Sequence, residues 1–326
     1  MAHQYSFGLQ HQLPKAMLFD VSYVGNQIRD MPVNRNLNGI PEQFRAAAET
    51  TFFATGRNTL SDAVTNPFFG LITNGALAAR TVTRGQLLRP YPHFTGVQTQ
   101  SEPIGQSRYD ALQTKLTRRF SNGFSVTGAY AFTKQIEQTR FLNDQDLRPV
   151  KELTEFDLPH RFVMSSAYEL PFGPGKRIFG SAKGFAARLL EGMQINGVFQ
   201  AQSGVPIELS GGESLGRSAR LSSDKQTRSQ WFDTTAFRQR QGIELIRTAR
   251  LPDVRSAGRN NVDLSFFKTT QLAENIKLQL RAEAFNAFNR PEYSSPNAAF
   301  GNANFGRVTS TNTFARQLQF ALKLIW

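Results

Sequence analysis

The 326-residue sequence contains no cysteine, which excludes a disulfide framework and a thiolate metal site. It has no apolar run of the roughly eighteen residues that a membrane-crossing helix needs. Its opening, MAHQYSFGLQ, lacks a basic segment followed by an apolar one, so no signal peptide is expected. Catalytic signatures are missing as well. The histidines His3, His11, His93 and His160 form no HExxH or other close ligand pattern, and His160 reads as a structural residue at a strand start. GPGKRIFG at 173–180 lacks the Lys-Ser/Thr of a nucleotide loop and reads as a flexible basic turn. QSGVP at 202–206 holds no GxSxG elbow; it reads as a strand exit, with Gly204 and Pro206 breaking pairing. No enzyme activity, cofactor or metal is therefore expected.

Acidic residues are also in short supply: 25 against 38 basic ones, a net charge of +13. Such a balance suits nucleic acid, anionic lipid or an anionic ligand. With no helix-turn-helix, RNP-like motif or basic helix, nucleic acid is not expected as a partner. The excess of Arg and Lys could instead pair with lipopolysaccharide phosphates around an outer rim.

What the sequence does have is alternation. In 5–13, Tyr5, Phe7, Leu9 and Leu13 share one face; in 17–25, Phe19, Val21 and Tyr23 do. The same period of two runs through 124–132, 161–170, 262–266 and 276–284, and more weakly through 108–120 and 190–204. Repeated over so many segments, it predicts strands rather than helices. The links alternate in length. Short ones fall at Pro14-Lys15, Ser121-Asn122-Gly123 and 272–275, with a moderate one at 171–188; long ones fall at 27–106, 138–158, 205–259 and 289–314. A strand of about 12 residues at about 3.3 Å each, tilted by about 45°, covers about 28 Å, close to the apolar band of outer-membrane barrels. A soluble β-sandwich also alternates, but the loop lengths and aromatic strand ends favour the barrel. The expected fold is all-β: an antiparallel transmembrane β-barrel segment of about nine strands, with short periplasmic turns and long extracellular loops. The mean hydropathy of −0.38 is no objection, because alternation and polar loops hide a membrane strand from an average.

The last residues, ARQLQFALKLIW, place Leu318, Phe320, Leu322, Leu324 and Trp326 on one face. Such a strand can pair with a template edge before it closes a sheet, and Trp326 would sit in the interfacial aromatic girdle. On the polar faces of the two last strands stand Lys277, Gln279, Arg281, Glu283, Gln319 and Lys323. They could form a lumen ladder for plug docking or solute contact, or simply pair across strands. Phe68, Phe69, Tyr91 and Phe94, with Phe52 and Phe53, gather in 50–95, where they could stack on a sugar or peptide or pack the loop onto itself. The Asn-rich stretch at 286–306 reads as a polar loop.

Several stretches carry a more specific likeness. They are YVGNQIRDMPVNRNLN at 23–38, NPFFGLI at 66–72, LLRPYPHFTGV at 87–97 and SRYDALQTKLTRRFSNGFSVTGAYAFTK at 107–134. FDLPHRFVMSSAYELPFGPGKR at 156–177, FQAQSGVPIELS at 199–210, RAEAFNAFNRPEYSSPN at 281–297 and the final FGRVTSTNTFARQLQFALKLIW complete the set. Together, and in this order, they resemble the C-terminal barrel of Oar-like TonB-dependent outer-membrane receptors, whose acidobacterial versions often carry a carboxypeptidase-regulatory-like domain. The resemblance implies a bacterial outer-membrane location, a barrel of about 22 strands with a plugged lumen, and uptake of an unnamed solute driven through TonB. It also implies that the terminal strand is read by the barrel-assembly machinery. Residues 1–326 are expected to be a partial receptor barrel without plug or N-terminal regions, so that TonB would be engaged only through the missing part. A non-transporting structural or adhesion protein, binding partners through its long loops, is the alternative.

Overall fold

The computed structural model describes residues 1–144, 146–239 and 248–326. The expected loops 138–158 and 205–259 thus include residues, 145 and 240–247, outside the described ones. In chain order the strands are β1 (Ala2–Leu13), β2 (Met17–Val33), β3 (Ala63–Thr65), β4 (Thr81–Thr83), β5 (Glu102–Ser121), β6 (Phe124–Gln138), β7 (Glu152–Leu153), β8 (His160–Glu169) and β9 (Met193–Gln202). They continue with β10 (Pro206–Glu208), β11 (Gly212–Ser214), β12 (Phe237–Gln239), β13 (Arg250–Arg255), β14 (Arg259–Ala273), β15 (Ile276–Phe285) and β16 (Gln317–Ile325). The helices are α1 (Glu42–Thr55), α2 (Arg84–Leu87) and α3 (Gly184–Leu190).

Nine strands form one meander in the order β1-β2-β5-β6-β8-β9-β14-β15-β16, every neighbour antiparallel. Among the described residues β1 and β16 do not pair, so each leaves one edge of the sheet open. Turns at one end are short. Between the paired Ser121 and Phe124, Asn122 and Gly123 both adopt positive φ, 53° and 77°. That is the type I′ geometry whose twist matches a hairpin, and Asn-Gly supplies it at least cost. Replacing Gly123 by Val should cost about 1–2 kcal/mol, the penalty of a left-handed L-residue. A lowered unfolding midpoint of the protein in detergent would show it; an unchanged one would contradict the turn assignment.

The long strands exceed their expected lengths. β2 runs on to Val33 and β5 begins at Glu102, joined by pairs such as Ile28↔Ser107 and Val33↔Glu102. Alternation fades over this part because register shifts between Ile28 and Pro32 interrupt the period of two, while the backbone pairing that defines the strand continues.

The register sorts side chains cleanly. One face carries the cross-strand row Phe7↔Tyr23↔Leu112↔Phe132 and, nearer the short turns, Phe124↔Tyr168↔Ile195↔Phe266↔Ala282↔Phe320. The other carries Gln10↔Asp20↔Lys115↔Ala129↔Val163↔Gln200↔Asn261. The apolar face is bare: Phe320 is 73% and Leu322 68% exposed. The main buried cluster instead lies in the loops, where Ile207, Leu209, Ala219, Phe232, Ala236, Phe237, Leu251 and Val254 pack with Trp231, Ala298, Phe300 and Phe305.

These loops are therefore not structureless. β10 pairs with β13 and β11 with β12. β9 leaves the main sheet after Gln202, as the exit reading expects, but Pro206 does not end pairing: it pairs with Arg255 in the separate β10–β13 sheet. A Cβ on Gly204 would lie 1.8 Å from the Ser256 carbonyl oxygen, and this close approach is what requires glycine. The Asn-rich loop contributes Phe300 and Phe305 to the same core. At the opposite end of the sheet the 173–180 turn is closed by Gly173 N–H to Ile178 O (3.0 Å) and Ile178 N–H to Pro171 O (2.9 Å). These bonds join the two arms of the glycine-rich turn.

Candidate functional site

The exposed face defines the molecule's surroundings. On β5 the outward side chains between Asp110 and Arg118 are Leu112, Thr114 and Leu116; on β14, between Asn260 and Lys268, they are Val262, Leu264 and Phe266. Both windows span eight residues, about 26 Å along the strand and about 20 Å once tilted by about 40°. Aromatic pairs flank them. Tyr5 and Tyr23 lie 6.1 Å apart at the loop end, and both hydroxyls reach Asp110, at 3.4 and 2.6 Å. Phe124 and Tyr168 lie 6.1 Å apart at the turn end, with Arg118 5.2 Å from the Phe124 ring centre. There Lys268 Nζ donates to the Arg188 and Glu191 carbonyls at the C-terminal end of α3, at 2.7 and 2.5 Å. An apolar belt of this height between aromatic and charged rims matches lipid, and a soluble surface rarely carries so large an apolar patch.

The polar face is the lumen side. The register places Gln279↔Lys323 and Glu283↔Gln319 opposite one another, with Lys277 facing Ile325 and Arg281 facing Ala321. Arg281 Nε donates to Gln279 Oε1 at 2.7 Å, and its guanidinium lies 4.7 Å from the Phe267 ring centre. Gln279 in turn donates to Thr269 Oγ1 at 3.1 Å. Among the described residues no salt bridge joins Lys277, Arg281, Glu283 or Lys323. On the apolar side of β16, Leu318, Phe320, Leu322 and Leu324 pair with Ala284, Ala282, Leu280 and Leu278, and Trp326 follows the strand.

Within residues 34–101 Phe52 and Phe53 of α1 meet edge to face at 6.1 Å, while Phe68, Phe69, Tyr91 and Phe94 make no ring contact with one another among the described residues. Buried Asn38 donates to the Tyr91 and Phe94 carbonyls (3.1 and 2.8 Å) and accepts from Tyr91 N–H (2.8 Å). Asn66 does the same for Phe68 N–H at 3.0 Å and the Leu77 and Ala79 carbonyls at 2.6 and 2.8 Å. The backbone is thus fixed, while the rings of Phe68, Phe69, Tyr91 and Phe94 stay substantially exposed. Their ring partners are others: Phe69 lies under Arg80 at 4.9 Å, and Phe94 contacts His93 at 3.9 Å.

A feature without any linear signature clamps the loops to the strands. Arg140 grips Glu152 in two bonds of 2.7 and 2.9 Å and reaches Glu208 at 2.6 Å. Arg250 bonds Glu137 at 2.6 Å and Glu152 at 3.3 Å, and its backbone N–H donates to Glu152 at 2.9 Å. Beside them Arg255 meets Asp157 at 2.5 Å. The Glu152 side chain is only 2% exposed. Burial alone would raise its carboxyl, but bonds from Arg140 and from the Arg250 backbone outweigh burial and hold it below its ordinary 4.5. Arg140 is correspondingly raised, chiefly by its bond to Glu152. A depressed carboxylate stabilises the fold above its unfolded pKa, and that stability is lost as pH falls through the folded value. Acidification below 4.5 should therefore release the 139–159 loop first, read as protease cutting there while the sheet stays intact. Equal cutting at pH 7 and pH 3, or loss on the alkaline side, would contradict this.

An antiparallel meander with a lipid-matched exterior, a polar inner face, short turns at one end and folded loops at the other is a β-barrel wall of the outer membrane. The chain belongs to the outer membrane beta barrel domain family, whose model matches residues 1–319. No curated protein matches the chain. Among solved structures it is similar to the ferric-catecholate import receptor Fiu of Escherichia coli K12 at 11% identity and a TM-score of 0.39, covering 99% of this chain and 27% of that one. The outer membrane transporter YddB of Escherichia coli gives 10% identity and a TM-score of 0.44, covering 99% and 32%. The ferripyoverdine receptor of Pseudomonas aeruginosa gives 9% and 0.42, covering 99% and 27%. The chain thus spans about a third or less of these proteins.

Proposed function

We propose that the chain serves as the C-terminal barrel segment of an Oar-like TonB-dependent receptor that takes up a ligand across the outer membrane. The observation that carries this reading is the inner face of β15 and β16. Lys277, Arg281, Glu283 and Lys323 stand there without salt bridges among the described residues. Small barrels fill their interior with their own side chains; charged groups left uncompensated suit a wide lumen that holds water and a plug. The exposed rings of Phe68, Phe69, Tyr91 and Phe94 are the loop contacts offered to a ligand. The test compares cells with and without the whole receptor gene for solutes removed from defined medium, with and without a protonophore. Depletion of a solute that needs both the receptor and the proton-motive force is expected. Surface-exposed receptor that depletes nothing would leave the structural or adhesive alternative.

The apolar row from Leu318 to Trp326 is, in this reading, the assembly signal. Replacing Leu324 by Asp in the intact receptor should reduce heat-modifiable barrel in the outer membrane several-fold. Undiminished insertion would remove the signal role and leave the row as plain lipid contact.

A further inference from the structure

A cavity of about 600 Å³ lies where the loops above β9 and β14 meet the upper rim of the sheet. Its volume is in the range of small-ligand sites. His160 and Asn260 line it, and both stand in the register rows of the lipid side: His160 pairs with Phe132, and Asn260 with Ala201, itself opposite Phe162. Asn260 is also the polar residue that ends the apolar window of β14. The cavity therefore sits at the height of the outer-leaflet headgroups, on the exterior of the wall and away from the inner polar face.

Its walls supply two chemistries. Trp231 and Tyr293 contribute flat rings, 6.5 Å apart and edge to face, and Trp231 is fixed by its indole N–H donating to the Arg255 carbonyl at 2.7 Å. Arg220 and Arg290 contribute guanidinium groups that bond no described residue through their side chains. The remaining charged lining is already engaged: Arg255 by Asp157, and Asp253 by the Ser218 hydroxyl at 2.5 Å. Two free guanidiniums favour an oxyanion with phosphate geometry, and indole and phenol rings favour the apolar face of a sugar.

We propose that this cavity binds a phosphorylated saccharide, supplied either by the headgroup of an outer-leaflet glycolipid or as a free sugar phosphate. The site is independent of the uptake reading, since it lies outside the lumen and needs neither plug nor TonB. Arg220 and Arg290 clamp the phosphate, and Trp231 and Tyr293 hold the sugar ring.

The test uses the whole receptor in nanodiscs, with diphosphorylated lipid A, its dephosphorylated form and soluble glucosamine 1-phosphate as probes, read by native mass spectrometry and calorimetry. Retention of lipid A but not of its dephosphorylated form identifies the glycolipid as the source; binding of glucosamine 1-phosphate identifies a soluble one. In either case Arg220→Gln and Arg290→Gln should each weaken binding about tenfold, the worth of one charge-assisted bond. Both residues are exposed, so these variants keep the fold, and Tyr293→Leu should lose the sugar preference while keeping phosphate. No binding of any probe, or binding that the Arg220→Gln/Arg290→Gln double variant leaves unchanged, overturns the proposal, whatever the uptake experiment finds.

Discussion

An arginine in place of Leu264 is expected to destabilise the folded protein in bilayers by about 2–4 kcal/mol, the cost of a cation facing the bilayer midplane. Leu264 is midway in the eight-residue window between Asn260 and Lys268, and the register opposes it to Gly197 and Ala284 on the exterior. Its neighbour Ser265 pairs with Asn196 and Glu283 on the other face. Ser265→Arg should therefore cost little, because a wet lumen accommodates the charge and Glu283 stands opposite it. Adjacent residues given the same substitution thus separate lipid from lumen with little change in strand propensity. The measurement is the denaturant midpoint of folding into lipid vesicles, with folded barrel in the outer membrane as a second readout. Equal costs at both positions would mean that neither face meets lipid, and a larger cost at Ser265 would reverse the faces.

The wall was legible in the sequence because it is a local pattern. Phe7, Leu9, Phe19 and Tyr23 advertise a face by spacing alone, and the Asn122-Gly123 turn names its own geometry. The same reasoning under-read the strand ends, since Asn26–Val33 and 102–107 rise beyond the lipid and no longer alternate. The loop core was hidden for a different reason. Phe232, Phe237, Phe300 and Phe305 stack edge to face at 5.2–5.8 Å, yet they come from two loops and follow no period. Hidden too was the ion cluster, whose Arg250–Glu137 bond joins residues 113 positions apart. Nothing in either neighbourhood distinguishes these charges from solvated ones. The polar row on β15 and β16 was legible as a face, while the salt bridges considered for it are absent among the described residues; Arg281 turns to Gln279 and Phe267 instead.

That ion cluster carries the second large effect. Arg250→Ala would leave Glu152 buried with one of its two cationic partners gone, and Glu137 without its bond. Removing one member of a buried pair typically costs about 3–5 kcal/mol, more than the intact pair contributes, because the remaining charge is stranded. The loss should fall on the loops. The cluster joins β6 and the 139–159 loop to β13, which the bonds from Arg250 to Glu137, Leu153 O and Glu152 make plain. The strands below have their own continuous ladder and should not notice. Hydrogen exchange on the protein in detergent separates the two: amides of β10 and β13 should lose most of their protection, while those of β8, β9 and β14 keep it. Because the charges act together, Arg140→Ala combined with Glu152→Ala should cost less than the sum of the single changes. If the double variant were simply additive, or if β10 and β13 stayed protected in Arg250→Ala, the loops would be held by the Phe232 core alone and the cluster would be incidental to it.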